Sequence, residues 1–333
     1  IANPQQLAER LIERPVALVY RNGAPSGEKH FVLYNPPVVN RELGLRRSAV
    51  LEARKIAGQF LSHDVQTIVF ARTRLVTEVL LTYLRDAVVK QGKPPESVRG
   101  YRGGYLPLQR REIERGLRDG SVRGVVTTNA LELGIDIGQL SACVMTGYPG
   151  TIASALQQAG RAGRKQEVSV AVMVASSSPL DQYVVTHPAY FFGRSPEEAL
   201  VNPNNLLVAA SHIKSAAFEL PFNEGESFGN FEGLPQVLGY LEEEGVVHKA
   251  GRTWYWMSEQ YPANEISLRT SASENFVIID TSGDHRVIGE VDRFSAPMLI
   301  HEEAIYIHEG QQYHVDRLDW EEHKAYVRAV DVD

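Results

Sequence analysis

Residues 157–164 read QQAGRAGR, and Arg161 and Arg164 stand three apart in a stretch where Gly160, Ala162 and Gly163 add almost no side-chain bulk. Two guanidinium groups can therefore be brought close to something large. Their planar forks suit phosphate oxygens, which they can grip bidentately. A second concentration of positive charge lies over residues 98–123, with seven Arg against three acidic residues. A solvated helix face with i,i+4 pairs such as Glu114 to Arg118 accounts for its second half. The sequence GYRGGY at 100–105 is not explained in that way. No phosphate-cradling G-x-x-x-x-G-K-[ST] loop occurs; the nearest stretch, GAPSGEKH, has the wrong spacing and lacks the Ser/Thr.

The elements that must hold these residues follow from periodicity. HFVLYN (30–35) reads as a strand, and a helix is expected over roughly 42–62. TIVFA (67–71) is a short buried strand, followed by a helix over TRLVTEVLLTYLRDAVV. SVRGYR suggests a short strand, and LPLQRREIERGLRDG a helix stopped by Gly120. RGVVTT, ACVMTG and SVAVMVAS read as strands, with IASALQQAG helical between the last two. Continuous apolar strands alternating with helices predict a parallel sheet covered on both faces. Ligands gather at the carboxyl ends of such strands. ARTR, TTNALELGID and QQAGRAGR all fall there.

The chain has 333 residues, is 43% hydrophobic, and carries a net charge of −7. That length suggests two or three domains. Residues 1–195 hold 25 Lys+Arg against 16 Asp+Glu, whereas 196–333 hold 9 against 25. A basic part followed by an acidic one points to a polyanion-binding portion. No apolar run approaches the roughly 20 residues of a membrane span. No basic-then-apolar leader opens the chain, so a cytoplasmic protein is expected, with no membrane partner. The single cysteine, Cys143, excludes an internal disulfide framework, and its apolar setting ACVMTG predicts a small buried hydrophobe.

Taken in order and spacing, IVFARTR, YRGGY, VVTTNALELGIDIG and QQAGRAGR resemble motifs IV to VI of superfamily 2 helicases, which form the second RecA-like domain. The opening IANPQQLAERLIERPVALV is similar to the segment that follows the first such domain. SPLDQYVVTHPAYFFGRSPEEALVNPNNL and the stretch from IGEVDRFSAPMLIHEEAIYIHEG onward resemble the MrfA/SftH (YprA-like) group of DNA-repair helicases. The resemblance covers essentially the whole chain. It implies an ATP-dependent 3′-to-5′ DNA helicase or translocase acting in repair at the bacterial nucleoid, with ATP and Mg²⁺ bound mainly by a first RecA-like domain not contained in these residues. That domain, in cis, and single-stranded or tailed duplex DNA are the implied partners. Any zinc would be held in a region beyond residue 333. Without the phosphate loop and an Asp-Glu-x-His box, the chain is expected to be inactive alone. A non-catalytic nucleic-acid-binding module and an RNA helicase fragment are the competing readings, since backbone contacts alone do not tell DNA from RNA.

Site roles follow from the resemblance. Arg161 and Arg164 match the arginine fingers that neutralise charge developing on the γ-phosphate. Gln157, Gly134 and Asp136 match nucleotide-facing positions, with Asp136 placed to meet the ribose or the arginines of motif VI. Thr127 and Thr128 end a strand, where hydroxyls and backbone N–H groups can hold a nucleic-acid phosphate without reading a base. Arg72, Thr73, Arg102 and Gly103 look like further backbone contacts to the tracking strand. The expected division is 1–29 tail and linker, 30–195 RecA-like, 196–262 winged-helix-like, and 263–333 small and β-rich.

The last two portions are read from pattern. NPNNLLVAASHIKSAAFELPF and GLPQVLGYLEEEGVV predict two helices, and VVHKAGRTWYW two strands joined at Ala250-Gly251. Helix, helix and β-ribbon is the shape of a winged helix, a fold that does not by itself imply DNA contact. Glu242, Glu243 and Glu244 would repel phosphate there. Lys249, Arg252, Trp254, Tyr255 and Trp256 would suit nucleic acid or a neighbouring domain equally. Residues 265–333 alternate in short strands, which suggests a small β-barrel whose acidity disfavours DNA. His301, His308 and His314 are read as scattered strand residues and not as a metal site.

Overall fold

In the computed structural model, the structure describes all residues except Asn22, 24–26, Gly134, Asp136, Gln139, 164–167, 267–274 and Asp333. Contacts divide the chain into two compact units: residues 1–22 with 198–273, and 23–197 with 274–333.

The chain opens with helix α1 (Pro4–Ile12), which belongs to the first unit. The second unit begins with strand β1 (Lys29–Tyr34) and a small hairpin, β2 (Val38–Asn40) and β3 (Leu45–Arg46). Helix α2 (Ala49–Ser62) starts later than its periodicity predicts. The hairpin turns through Gly44 at a φ of 65°, and Ser48 then caps the helix by accepting from the Leu51 N–H. The parallel sheet continues through β4 (Thr67–Phe70), α3 (Arg74–Val89), β5 (Val98–Tyr101), α4 (Pro107–Asp119), β6 (Gly124–Thr127), β7 (Ala142–Thr146), α5 (Ile152–Ala159) and β8 (Ser169–Val174). Gly120, with a φ of 82°, ends α4 as expected.

Strand order is β1-β8-β7-β4-β6-β5, all parallel. One face packs Ile68, Val125, Cys143 and Met173 against the side of α4 and α5; the other packs Val69, Val126, Val144 and Val172 against α2 and α3. Alternate residues of each strand thus go to opposite cores, which is why the strands read as unbroken apolar runs. Cys143 is fully buried, and burial raises its thiol pKa. Helices α6 (Pro179–Thr186) and α7 (Pro188–Gly193) follow the sheet.

In the first unit, α8 (Leu206–Glu219), a short strand β9 (Phe222–Asn223), α9 (Leu234–Glu243), β10 (Val247–Ala250) and β11 (Thr253–Trp256) form the expected winged helix, with β9 added as a third strand. Gly251 turns the wing at a φ of 65°.

The rest of the second unit is a mixed five-stranded sheet. Strands β12 (Asn275–Asp280) and β13 (Arg286–Asp292) precede the short helix α10 (Ala296–Leu299), and β14 (Ile305–His308), β15 (Gln311–Asp319) and β16 (Lys324–Val330) follow it. The order is β13-β12-β16-β15-β14, antiparallel apart from β12–β16, and curled into a half-barrel around Phe276, Ile278, Val315 and Val327.

Candidate helicase site

Sheet register brings two of the motifs together. Phe70 pairs with Thr127 on one side and Met145 on the other, so the chain leaves β4, β6 and β7 at the same level. A cleft of about 350 Å³ opens there, lined by Arg72, Thr128, Asn129, Glu132, Ser154 and Gln158 among others. Arg72 reaches its rim with a half-exposed side chain, 3.9 Å from Asp181. Asp181 is fully buried and accepts from the backbone N–H of Tyr148 and of Ser176, tying the ends of β7 and β8 to α6. Asp181 belongs to none of the motifs, and its one signal in the sequence is a carboxylate in the first turn of the helix that Pro179 opens.

Thr73 is the N-cap of α3, its hydroxyl oxygen accepting from the Val76 N–H at 3.2 Å. It is exposed, and the positive end of a 16-residue helix lies behind it. Thr128 lines the cleft and is partly exposed. Thr127 is not in a position to touch a ligand. It is fully buried at the end of β6, its hydroxyl has no hydrogen-bond partner, and its carbonyl accepts from the Ala71 N–H. The expectation of a phosphate contact by its side chain is corrected accordingly, because the strand's alternation turns that side chain inward.

Motif VI leaves α5, which Thr151 caps through the Ser154 N–H. Glu197 accepts from the next two free donors, the Ile152 and Ala153 N–H groups, at 2.7 and 2.9 Å. Burial opposes its ionisation, but these backbone bonds hold its carboxyl below the usual range. Gln157 is exposed on this helix. Its neighbour Gln158 is buried and, with Ser154, donates to the Glu132 carboxylate at 3.0 and 2.7 Å. The sequence reading passed over this polar trio.

Arg161 does not project as a free finger. It is 8% exposed, and its guanidinium donates to the carbonyls of Glu132 and Ile135 at 2.6–3.1 Å. It holds the motif V loop closed on motif VI. Gly163 is required by the fold itself, with a φ of 80° and no room for a Cβ against Ser169. Arg164, Gly134 and Asp136 lie outside the described residues. Among the described residues no group of three or more acidic, His or Cys side chains could hold a metal ion, and no helix is long and apolar enough to cross a membrane.

The largest departure concerns GYRGGY. Arg102 is 1% exposed and cannot meet a strand on the surface. Its Nε donates to Glu78 at 2.7 Å, and one terminal nitrogen donates to the Tyr306 hydroxyl and the Ile307 carbonyl, each at 3.0 Å. Glu78 also accepts from the Tyr105 hydroxyl and the Gly310 N–H. Burial alone would lower the arginine's pKa, but Tyr306 and Glu78 raise it above its ordinary value. His308 packs at a tilt against Tyr105 beside this pair, with ring centroids 4.8 Å apart, and burial, then the Arg102 and Arg286 charges, press its pKa down to about 3. The Gly104 carbonyl accepts from the Glu290 N–H, in a place too tight for a Cβ. Gly103 alone of the motif's centre is exposed, in the turn. The motif is thus a seam joining the parallel sheet to the half-barrel, and the expected phosphate contact at Arg102 is withdrawn.

The wing is equally occupied. Lys249 and Arg252 both pair with Glu224, Trp254 is in the core, and Trp256 donates to the Ser258 carbonyl, so Tyr255 is the exposed aromatic of the three.

Comparison with known proteins agrees with this architecture. Residues 52–166 match the helicase conserved C-terminal domain, and residues 201–271 match the winged helix domain of the ATP-dependent helicase HRQ1. The chain is 58% identical to the uncharacterized ATP-dependent helicase YprA of Bacillus subtilis, over 100% of its own length and 44% of the relative's. It is 35% identical to the ATP-dependent helicase HRQ1 of Saccharomyces cerevisiae, over 96% of its length and 30% of that protein's. A crystal structure of the DUF1998 helicase MrfA bound to DNA superposes with a TM-score of 0.86 at 58% identity, covering 100% of this chain and 44% of that one. The chain spans less than half the length of these relatives. With the motif-bearing sheet, the winged helix and these likenesses together, the chain belongs to the YprA/MrfA group of superfamily 2 helicases.

Proposed function

We propose that the whole protein is an ATP-dependent 3′-to-5′ DNA helicase or translocase acting in DNA repair at the bacterial nucleoid, and that these residues supply one wall of its ATP cleft and half of its single-strand track. The observation that carries the reading is the cleft at the carboxyl ends of β4, β6 and β7. There Arg72, the Thr73-capped end of α3, Thr128 and Asn129 offer donors suited to phosphate oxygens of a strand, independent of base identity.

ATP, with Mg²⁺, would supply the driving reaction from a site completed by a RecA-like domain in cis. On this chain's side, the exposed Gln157 would face that domain, and Arg164 would act as the finger. Asp136 and Gly134 would line the same side. Arg161, through the carbonyls of Glu132 and Ile135, positions the motif V loop between strand track and nucleotide. Such a tie makes the two sites answer to each other.

In the full-length protein, Arg164→Ala should cut kcat for ATP by about 10³-fold or more, as loss of an arginine finger does. DNA affinity without nucleotide should hardly move. Thr128→Ala should divide the other way, weakening DNA binding and DNA stimulation more than ATP affinity. An Arg164→Ala protein that melts normally and turns over ATP at the wild-type rate would refute the assignment.

A further inference from the structure

Beside the phosphate donors lies a second cleft, of about 380 Å³, between the first turns of α3 and the α10–β14 edge of the half-barrel. Its walls include Leu75, Met298 and Ile305, which are 60%, 76% and 43% exposed. Arg74 and Arg102 also line it. Each guanidinium already has a counter-charge: Arg74 sits 3.5 Å from Asp292, and Arg102 2.7 Å from Glu78. Arg74 nevertheless keeps one buried terminal nitrogen without a hydrogen-bond partner, whereas the corresponding nitrogen of Arg102 is packed against Gly104. Buried donors of this kind call for an acceptor. Because both charges are neutralised, the acceptor need not carry charge. The cleft therefore favours a flat, largely apolar, neutral group with ring nitrogens or carbonyl oxygens, and disfavours a phosphate or carboxylate.

We propose that this cleft receives a nucleobase of the single strand whose phosphates reach Arg72 and Thr73. The proposal rests on the strand track argued above, and position supports it. Leu75 is in the first turn of α3, directly after the capping Thr73, so a strand held at that helix end passes the mouth of the cleft. The Arg74–Asp292 contact fastens the half-barrel wall to the same turn. A base stacked on Leu75 and Met298 could accept from the Arg74 guanidinium while its sugar and phosphate remain at the surface. Stacking of this kind tolerates every base, since each has a flat apolar face. The half-barrel would then belong to the track in spite of its overall acidity.

The test uses the full-length protein with Leu75→Ala and Met298→Ala combined, both at exposed positions whose truncation should leave the fold intact. Binding is measured by fluorescence anisotropy, across a range of salt, for oligothymidylate and for a deoxyribose-phosphate oligomer of equal length without bases. Loss of one stacked base should weaken oligothymidylate binding by about tenfold. The slope of affinity against salt should stay unchanged, because no phosphate contact is removed. The base-free oligomer should bind variant and wild type alike. Wild-type affinity for oligothymidylate in the variant would overturn the proposal, as would an equal loss on the base-free oligomer, which would mark the cleft as a seat for another protein segment. A flattened salt slope would reassign it to phosphate. If the wild-type protein binds neither oligomer, the helicase reading itself fails, a result distinct from the others.

Discussion

The carboxyl edge of the parallel sheet and the seam under the half-barrel are each built on an arginine beside a buried carboxylate. Arg72 stands 3.9 Å from Asp181 with about half its side chain in solvent, whereas Arg102 lies 2.7 Å from Glu78 with 1% exposed. At the edge, water and salt screen the pair, and the guanidinium is free to exchange one anion for another. In the seam, neither charge has water to return to, so the pair acts as a fixed joint. One residue type in two dielectric settings thus gives a solvent-facing ion pair and a structural lock.

Three measurements would break or sharpen this contrast. The largest effect is expected in the seam. Glu78→Ala leaves Arg102 buried without its partner and should cost about 3–5 kcal/mol in unfolding stability. Replacing both residues together, Glu78→Leu with Arg102→Met, should recover the part of that loss due to the unpaired charge, while the Tyr105 hydroxyl and the Gly310 N–H still lack their acceptor. Denaturant unfolding of the two variants distinguishes the cases, and a Glu78→Ala protein as stable as wild type would mean that the seam is not a joint.

A smaller effect should appear in acid. His308 is held neutral, with a pKa near 3 in place of about 6.5. The unfolded chain then binds a proton that the folded one refuses, so this contribution is intact above pH 6.5 and is lost as pH falls from there toward 3. Its steepest share is about 1.4 kcal/mol per pH unit. His308→Gln should flatten the decline of stability between pH 6 and 4 by up to that amount, as read from denaturant midpoints; an unchanged slope would contradict the burial argument.

The smallest effect belongs to the edge. Arg72→Ala should leave stability within about 0.5 kcal/mol of wild type. It should lower single-strand affinity in the full-length protein and reduce the slope of log affinity against log salt by about 0.7, the share of one phosphate contact. If melting suffers and the salt slope does not, Arg72 is a structural residue like Arg102.

The sequence by itself determined the strands of the parallel sheet and the principal helices of both units, but not α1, the β2–β3 hairpin, β9 or α10. Apolar strands buried on both faces and helices with one apolar stripe leave periodicities that need no partner to be read, and Gly120 and the turn at Gly251 mark their own ends. The order of motifs placed ARTR and TTNALELGID at strand ends, where the register of β4 with β6 and β7 puts them, whereas QQAGRAGR ends α5 and its Ala162 lies beside Leu140, ahead of β7, and not at the carboxyl ends as expected. The late start of α2 was less legible, because Ser48 decides it through one capping bond while apolar spacing continues upstream. Which arginine meets solvent was not legible at all. Glu78 is 24 residues from Arg102, and Tyr306 is 204 away. A guanidinium has the same chemistry in either place, and only the tertiary packing of the half-barrel against α3 removed the water that would have made Arg102 a surface contact. The same holds for Arg161, whose partners are backbone carbonyls that carry no residue identity and so leave no trace in the sequence.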